Sequence, residues 1–458
     1  MPPTRRLDIV LDSVRRLQRM GATGNLVNLL QKQYPADLAQ VFSELQDRER
    51  HAAFSLLLER NSRLAAETIA ELGPEISAEL LADRLAEEIA RLVQELPSDD
   101  AAAIIDNLPE DLSNAVVELI KPKPGGGVGE LLEYPEQTAG RIMNPNVFAL
   151  AEDLTAGEAI TALQQSREVE MVFYLYVVDA RRHLVGVVSL RRLLLVPPAT
   201  PLKRIMTTDL IAVRDDVDQE EVARQVASYN LLAVPVVDAE NKLAGVITVD
   251  DVIDVIKDEA TEDVFRLAGV SIEDGALTPP SESLRRRLPW LGVNLITAFV
   301  AAWVVSKFEG TIGIIPALAV FMPIVAGMGG NAATQTLTVT VRGIALGELS
   351  FSNARKALLK EATVGIANGV ALGLVAGVVA VVIRPDTAIG WWIGGVLAGS
   401  MIINMFIAAT AGTLIPLGLR ALKVDPALAS SVFITTLTDV FGFLAFLGLA
   451  AVALRYIG

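Results

Sequence analysis

The chain of 458 residues has no cysteine and only two histidines, His51 and His183. Without cysteine there are no disulfides, no thiolate metal ligands and no cysteine nucleophile, and two scattered imidazoles are too few for a zinc site. The metal chemistry open to this chain is oxygen chemistry. No paired nucleophile and base, metal triad or phosphate-cradling loop is present, so an enzyme is not expected. The opening residues, MPPTRRLDIVLDSVRRL, are charged throughout and lack the apolar core of a signal peptide.

Charge is scarce in the last third of the chain. Residues 285–458 hold twelve Lys or Arg and six Asp or Glu, mostly in short gaps between apolar runs, whereas residues 1–284 hold 27 and 48. The net charge of -15 thus divides into +6 and -21. An acidic region of that size repels phosphates, which argues against a nucleic-acid partner and favours cations.

Five apolar stretches, at 288–307, 311–341, 357–383, 388–419 and 426–454, each reach the roughly 20 residues that cross a bilayer core. With the acidic region inside, the inner gaps hold Arg285, Arg286, Arg287, Arg342, Arg355, Lys356, Lys360, Arg420 and Lys423, and the outer ones only Lys307, Arg384 and Arg455. This bias predicts a multi-pass cell-membrane protein with a cytoplasmic N-terminus and a C-terminus outside. The second stretch is interrupted by Pro316 and Pro323 and contains GMGGNAATQTLTVTV (327–341), a pattern that fits either a helix broken at membrane depth where backbone lines a cavity or close helix packing.

Asp439 is the sole charge between Pro426 and Arg455. A carboxylate at the centre of a membrane helix is disfavoured by roughly 2.5–3.5 kcal/mol, so it marks a water-filled path or a partner. Ser431, Thr435 and Asp439 recur every four residues and form one polar helical stripe. Gly330, Asn331, Thr334 and Gln335 on the second stretch and Asn404 on the fourth add small or neutral polar groups. One carboxylate per chain is thin for a divalent ion, so charge stoichiometry suggests a homodimer with two. Mg2+, which keeps several waters, suits such a pore.

Within the acidic region, residues 177–194 align with 236–253 at an offset of 59, and 142–160 with 205–223 at an offset of 63. Each unit reads as a strand, an amphipathic helix, two strands joined by a polar turn and a closing helix. Before the repeat, residues 25–120 alternate short amphipathic helices with turns, including SAELLADRLAEEIARLVQEL (77–96) read as one helix. KPKPGGGVG (121–129) reads as a linker. After the repeat, residues 250–275 read as a long acidic helix in which Asp251, Asp254, Asp258, Glu259, Glu262 and Asp263 repel one another unless something neutralises them.

The repeat resembles a tandem pair of CBS domains, a family that often binds adenosine nucleotides. Gly245, Thr248 and Asp251 match its nucleotide motif in the second unit; Ser189 matches in the first, where Arg192 takes the Asp position. With the PAD motif (35–37), TAGRIM (138–143), ATED (260–263), RRLPWL (286–291), MPIVAGMGGNAATQ (322–335) and DPALAS to TTLTD (425–439), the chain resembles the MgtE family of magnesium channels. The fold class this implies is multi-domain: an α-helical stack, an α/β tandem CBS pair, a connecting helix and an α-helical membrane domain of five spans. The expected divisions are a charged N-terminal segment (1–24), helical stack (25–129), first CBS domain (130–202), second (203–258), connecting, plug-like helix (259–284) and transmembrane domain (285–458).

The resemblance implies a homodimer in the lipid bilayer with Mg2+ both transported and regulatory. Pore residues are then Asp439, Asn331, Gly330, Thr435 and Ser431, and the sensing acids Asp99, Asp218, Glu220, Asp251, Asp254, Glu259, Glu262 and Asp263. ATP is a further expected ligand, at Ser189, Thr248 and Asp251. Ala333, Ser431, Asn230 and Leu231 depart from the family pattern. A broader divalent carrier for Co2+ or Mn2+, and a membrane-anchored nucleotide or metal sensor that conducts nothing, stay open as alternatives.

Overall fold

The computed structural model describes residues 3–120, 127–166, 173–271, 274–275, 278–383, 387–428 and 431–457. Most of the 121–129 linker and Arg384 lie outside these residues. Two compact units result, residues 1–256 and 257–458.

The first unit opens with helices α1 (Pro3–Arg19), α2 (Thr23–Leu30), α3 (Pro35–Glu44), α4 (Asp47–Arg60), α5 (Ser62–Leu72), α6 (Pro74–Leu81), α7 (Ala86–Val93), α8 (Ser98–Asp106) and α9 (Glu110–Leu119). Helices α3 and α6 start at proline, whose missing N–H costs nothing there, and α8 and α9 follow a proline with acids in the first turn, where the helix dipole favours them. Asp8, Asp12, Arg16 and Arg19 of α1 are exposed, while Val10, Leu11 and Val14 enter the core of the stack. The single helix expected over 77–96 is two. Leu85 turns extended, and the break returns Ile89, Leu92 and Val93 to the core shared by Leu80 and Leu81. Arg84 pins the turn, its guanidinium 5.3 Å from the Phe54 ring centre and donating to Ser55 Oγ at 2.7 Å.

Short helices α10 (Val128–Glu133) and α11 (Ala139–Ile142) lead into the repeat. Its first half is β1 (Ala149–Ala151), α12 (Ala156–Gln165), β2 (Tyr174–Val178), β3 (Leu184–Ser189) and α13 (Leu190–Leu194). After α14 (Leu202–Ile205), the second half is β4 (Val213–Arg214), α15 (Gln219–Tyr229), β5 (Ala233–Val237), β6 (Leu243–Thr248) and α16 (Val249–Ala268). Both sheets pair their first two strands parallel and the last two antiparallel. The registers repeat too: Tyr174 faces Ser189 and Ala233 faces Thr248, with one irregularity at Val177/Val178 and its counterpart at Val236/Val237.

The halves exchange contacts reciprocally. Asn144 bridges to Val246 of the second half, and Thr207 to Val187 of the first. A Cβ on Gly245 would lie 2.5 Å from the Met143 sulfur, and one on Gly186 2.5 Å from that of Met206. These glycines exist so that a methionine from the other half can lie flat on the strand.

In the second unit, α16 runs on through residue 258 to Ala268. Then come α17 (Pro280–Ser306), α18 (Glu309–Ile314), α19 (Ala317–Ala345), α20 (Ala354–Ile383), α21 (Thr387–Ala421), a 3-10 turn (Pro426–Leu428) and α22 (Ser431–Ile457). Five of these are long and apolar enough to cross a membrane. The break in the second stretch occurs at Pro316 alone, where Ile315 is forced out of the helical region. Pro323 does not break α19, and neither do Gly327, Gly329 and Gly330. Phe321 and Val325 are buried to either side of Pro323 and hold the helix across the missing N–H. Gly365, Gly369, Gly373 and Gly377 place α20 against the backbone of α21, where an added Cβ would meet Met405, Ile402, Ala398 or Gly394 atoms within 2.9 Å.

Candidate ion-conduction and sensing sites

Helix α22 has two neighbouring stripes. Ile434, Thr438, Gly442 and Phe446 are buried in the bundle, whereas Thr435 and Asp439 are half-exposed. Among the described residues no donor or cation reaches the Asp439 carboxylate. The side chain of Ser431, which opens α22, lies outside the described residues.

Helix α19 is divided in the same way. Asn331, Thr334, Gln335 and Thr338 form an exposed polar stripe, while Ala333, Thr336, Leu337 and Thr340 are buried. The stripes adjoin where a Cβ on Gly330 would lie 3.2 Å from Thr435 Cγ2. Glycine there lets the helices approach closely. Ala333 packs inward with Leu337, Val341, Ala408, Ala427 and Ile434, away from the polar stripe of its own helix. Its departure from the family pattern therefore fills a core position.

One polar feature, Glu361, escaped the sequence reading, and Asn404, read there as a neutral polar group, is buried in the bundle. Glu361, at the start of α20, is buried and held by Lys360 Nζ at 2.6 Å and Thr336 Oγ1 at 3.3 Å. Asn404, on α21, is 1 % exposed and donates from Nδ2 to the Val325 carbonyl at 2.9 Å, while its Oδ1 accepts no hydrogen bond among the described residues.

The acids read as sensors fall into three groups. Asp99, in the first turn of α8, lies against Asp251, in the first turn of α16, with Asn144 Nδ2 3.5 Å from Asp99 Oδ1. Burial, then the Asp251 charge, holds the Asp99 carboxyl well above the usual aspartate range, and burial raises Asp251 too. Two crowded carboxylates whose charged forms are disfavoured are a pair that a cation would relieve, and carboxylate oxygens suit Mg2+.

The second group is around Arg266. Its guanidinium pairs with Glu262 and with Asp425, and Glu259 adds to the surrounding negative charge. Burial first, then Asp425, pushes the Asp263 carboxyl up to about 6. Asp425 precedes the 3-10 turn between α21 and α22, so this cluster joins α16 to the segment leading into the Asp439 helix. Leu267 packs beside it on the Ala333, Leu337, Ala427 and Ile434 cluster. Asp425 was legible only as the first residue of the DPALAS motif.

The third group is not gathered. Asp218 caps α15, its Oδ1 accepting from Glu220 N at 2.8 Å, and Asp254 is exposed on α16. Among the described residues no cluster of three or more acidic or imidazole groups has metal-binding geometry.

The nucleotide-motif residues stand at equivalent helix starts. Ser189 Oγ accepts from Arg192 N at 3.3 Å, and Asp251 Oδ2 accepts from Thr248 N and Oγ1 at 3.2 and 2.6 Å. Asn230 ends α15 in the left-handed conformation, φ 51°, which asparagine tolerates better than most residues.

A helical stack, a duplicated α/β module and a five-helix apolar unit with a carboxylate in its last helix define a multi-span membrane transport protein with a regulatory-type soluble region. The chain belongs to the MgtE family: residues 322–449 match the family model for divalent cation transporters, 33–137 the MgtE intracellular N domain, and 139–198 and 202–258 the CBS domain. It is 35 % identical to the magnesium transporter MgtE of Thermus thermophilus over 74 % of both chains. It is 36 % identical to that of Enterococcus faecalis over 72 % of both. A crystal structure of the cytosolic domain of the Mg2+ channel MgtE in complex with ATP aligns over 54 % of this chain and 99 % of that one, at 34 % identity and a TM-score of 0.50.

Proposed function

We propose that the chain forms a homodimeric, Mg2+-selective channel in which the Asp439 carboxylates of two protomers flank the path. The carrying observation is the half-exposed Asp439, unpartnered in an apolar helix, beside the exposed polar stripe of α19. Thr435, Asn331, Gly330 and Ser431 border the path, and the inner waters that the ion keeps donate hydrogen bonds to their oxygens as it passes.

Cytosolic Mg2+ closes the channel by binding acids of the soluble region. Asp99 with Asp251, and Glu259, Glu262 and Asp263 with Asp425, are the principal sites, and Asp218, Glu220 and Asp254 add to the field. Neutralising the repulsion draws the surfaces together and moves α16, whose end packs on the α19 and α22 cluster. ATP binds the duplicated module near Ser189, Thr248 and Asp251; the nucleotide in the related cytosolic domain supports this reading.

Mg2+ uptake by proteoliposomes tests both halves. Asp439→Ala is expected to abolish uptake, and neutralising Asp251, Asp254 and Glu259 together to abolish inhibition by cytoplasmic-side Mg2+. Unchanged flux in the first variant would remove the pore assignment, and unchanged inhibition in the second the sensor. Competition by Co2+ and Mn2+ distinguishes a broader carrier.

A further inference from the structure

Asn404 is an expensive residue in its position. Its neighbours on α21, Met401, Met405 and Ala408, are apolar and buried, and an amide with an unsatisfied oxygen is disfavoured in such surroundings. A leucine, with the same branching and no polar atoms, would occupy the space without that cost.

The amide, on α21, contacts two other helices at once. Nδ2 donates to the Val325 carbonyl of α19. A Cβ on Gly329, one turn further along α19, would lie 2.2 Å from Nδ2, and one on Gly442 of α22 would lie 2.7 Å from Nδ2 and 3.1 Å from Oδ1. The orphan oxygen therefore lies against glycine backbone, where weak Cα–H contacts are its available partners. Both glycines are required by the Asn404 head group, and neither position admits a side chain while it is there.

Gly442 follows Asp439 by three residues, so the two lie about 60° apart around the α22 axis. A rotation of α22 at Gly442 swings Asp439 by the same angle. We propose that Asn404 is a positioning residue for ion selection: by locking α19, α21 and α22 at Gly329 and Gly442 it sets the direction in which Asp439 faces. The inference rests on the conduction path proposed above.

The test uses the full chain in proteoliposomes, with Mg2+ and Co2+ uptake measured separately for Asn404→Leu, Asn404→Ala, Gly442→Ala, the double Asn404→Ala/Gly442→Ala, and Asp439→Ala. Asn404→Leu and Gly442→Ala are expected to change the Mg2+ to Co2+ rate ratio at least fivefold, with inhibition by cytoplasmic-side Mg2+ retained. The double variant, with the head group gone and a methyl in the gap, is expected to recover most of the wild-type ratio. A wild-type ratio in Asn404→Leu, or a double variant no better than Gly442→Ala alone, overturns the proposal. If Asn404→Leu does not fold, the Gly442→Ala and double variants decide it. Failure of the underlying path reads differently: Asp439→Ala would then conduct normally.

Discussion

The indole nitrogen of Trp290 lies over Gly269, so close that a Cβ added to the glycine would sit 1.8 Å from it. Gly269 has φ +69° and ends the chain's passage out of α16, while Trp290 lies on α17 and meets Phe433 of α22 edge-on, ring centres 6.0 Å apart. One glycine thus seats an indole that touches the Asp439 helix.

Gly269→Ala therefore meets both backbone strain and a displaced indole, and is expected to lower stability by about 2 kcal/mol or more. Trp290→Ala should remove the steric part, so the double variant should be less destabilised than the two single changes added together. Thermal unfolding in detergent measures this, and strict additivity would contradict the contact.

The reciprocal methionine contacts make a second forecast. Gly186→Ala and Gly245→Ala are each expected to cost about 1–3 kcal/mol by overpacking against Met206 and Met143. Equal losses at the two positions would reflect the pseudo-symmetry, and calorimetry of the full chain gives the comparison.

Asp263 yields a pH dependence with a definite sign. Its carboxyl is raised to about 6 in the fold, so the native state binds the proton more tightly than the unfolded chain. This group's contribution is present below the unfolded aspartate value, is lost as pH rises toward 6, and stays lost above it. Asp263→Asn should therefore raise the Tm at pH 7–8 by about 2 °C or more in Mg2+-free buffer and leave it nearly unchanged near pH 4. Saturating Mg2+ is expected to narrow the difference at neutral pH.

The buried carboxylate on α20 inverts a usual expectation. Lys360 is the more exposed partner, yet removing it strands Glu361 in the bundle, whereas Glu361→Gln keeps an acceptor for Thr336. Lys360→Met should cost about 2–3 kcal/mol, below the 3–5 kcal/mol of a fully buried pair, and more than Glu361→Gln. Chemical denaturation of the three proteins ranks them.

Local pattern made much of this molecule legible. The offsets of 59 and 63 anticipated strand registers that match pair for pair, and the five apolar stretches anticipated five helices. The break at Leu85 was hidden because the apolar spacing runs smoothly through 77–96; only packing against α4 makes the turn favourable. Pro316 and Pro323 look alike in sequence, and buried neighbours keep one of them helical. Asp99 beside Asp251, and Arg266 beside Asp425, join residues more than 150 positions apart, which no periodicity encodes.

The Met206 and Gly186 contact, mirrored by Met143 and Gly245, also restricts how this gene can drift. A larger residue at 186 is tolerable only after 206 shrinks, and 206 belongs to the stretch entering the other half. Each half is the other's template at these positions, so mutation is filtered toward keeping them alike. A duplication held together in this way stays readable after most of its surface has diverged.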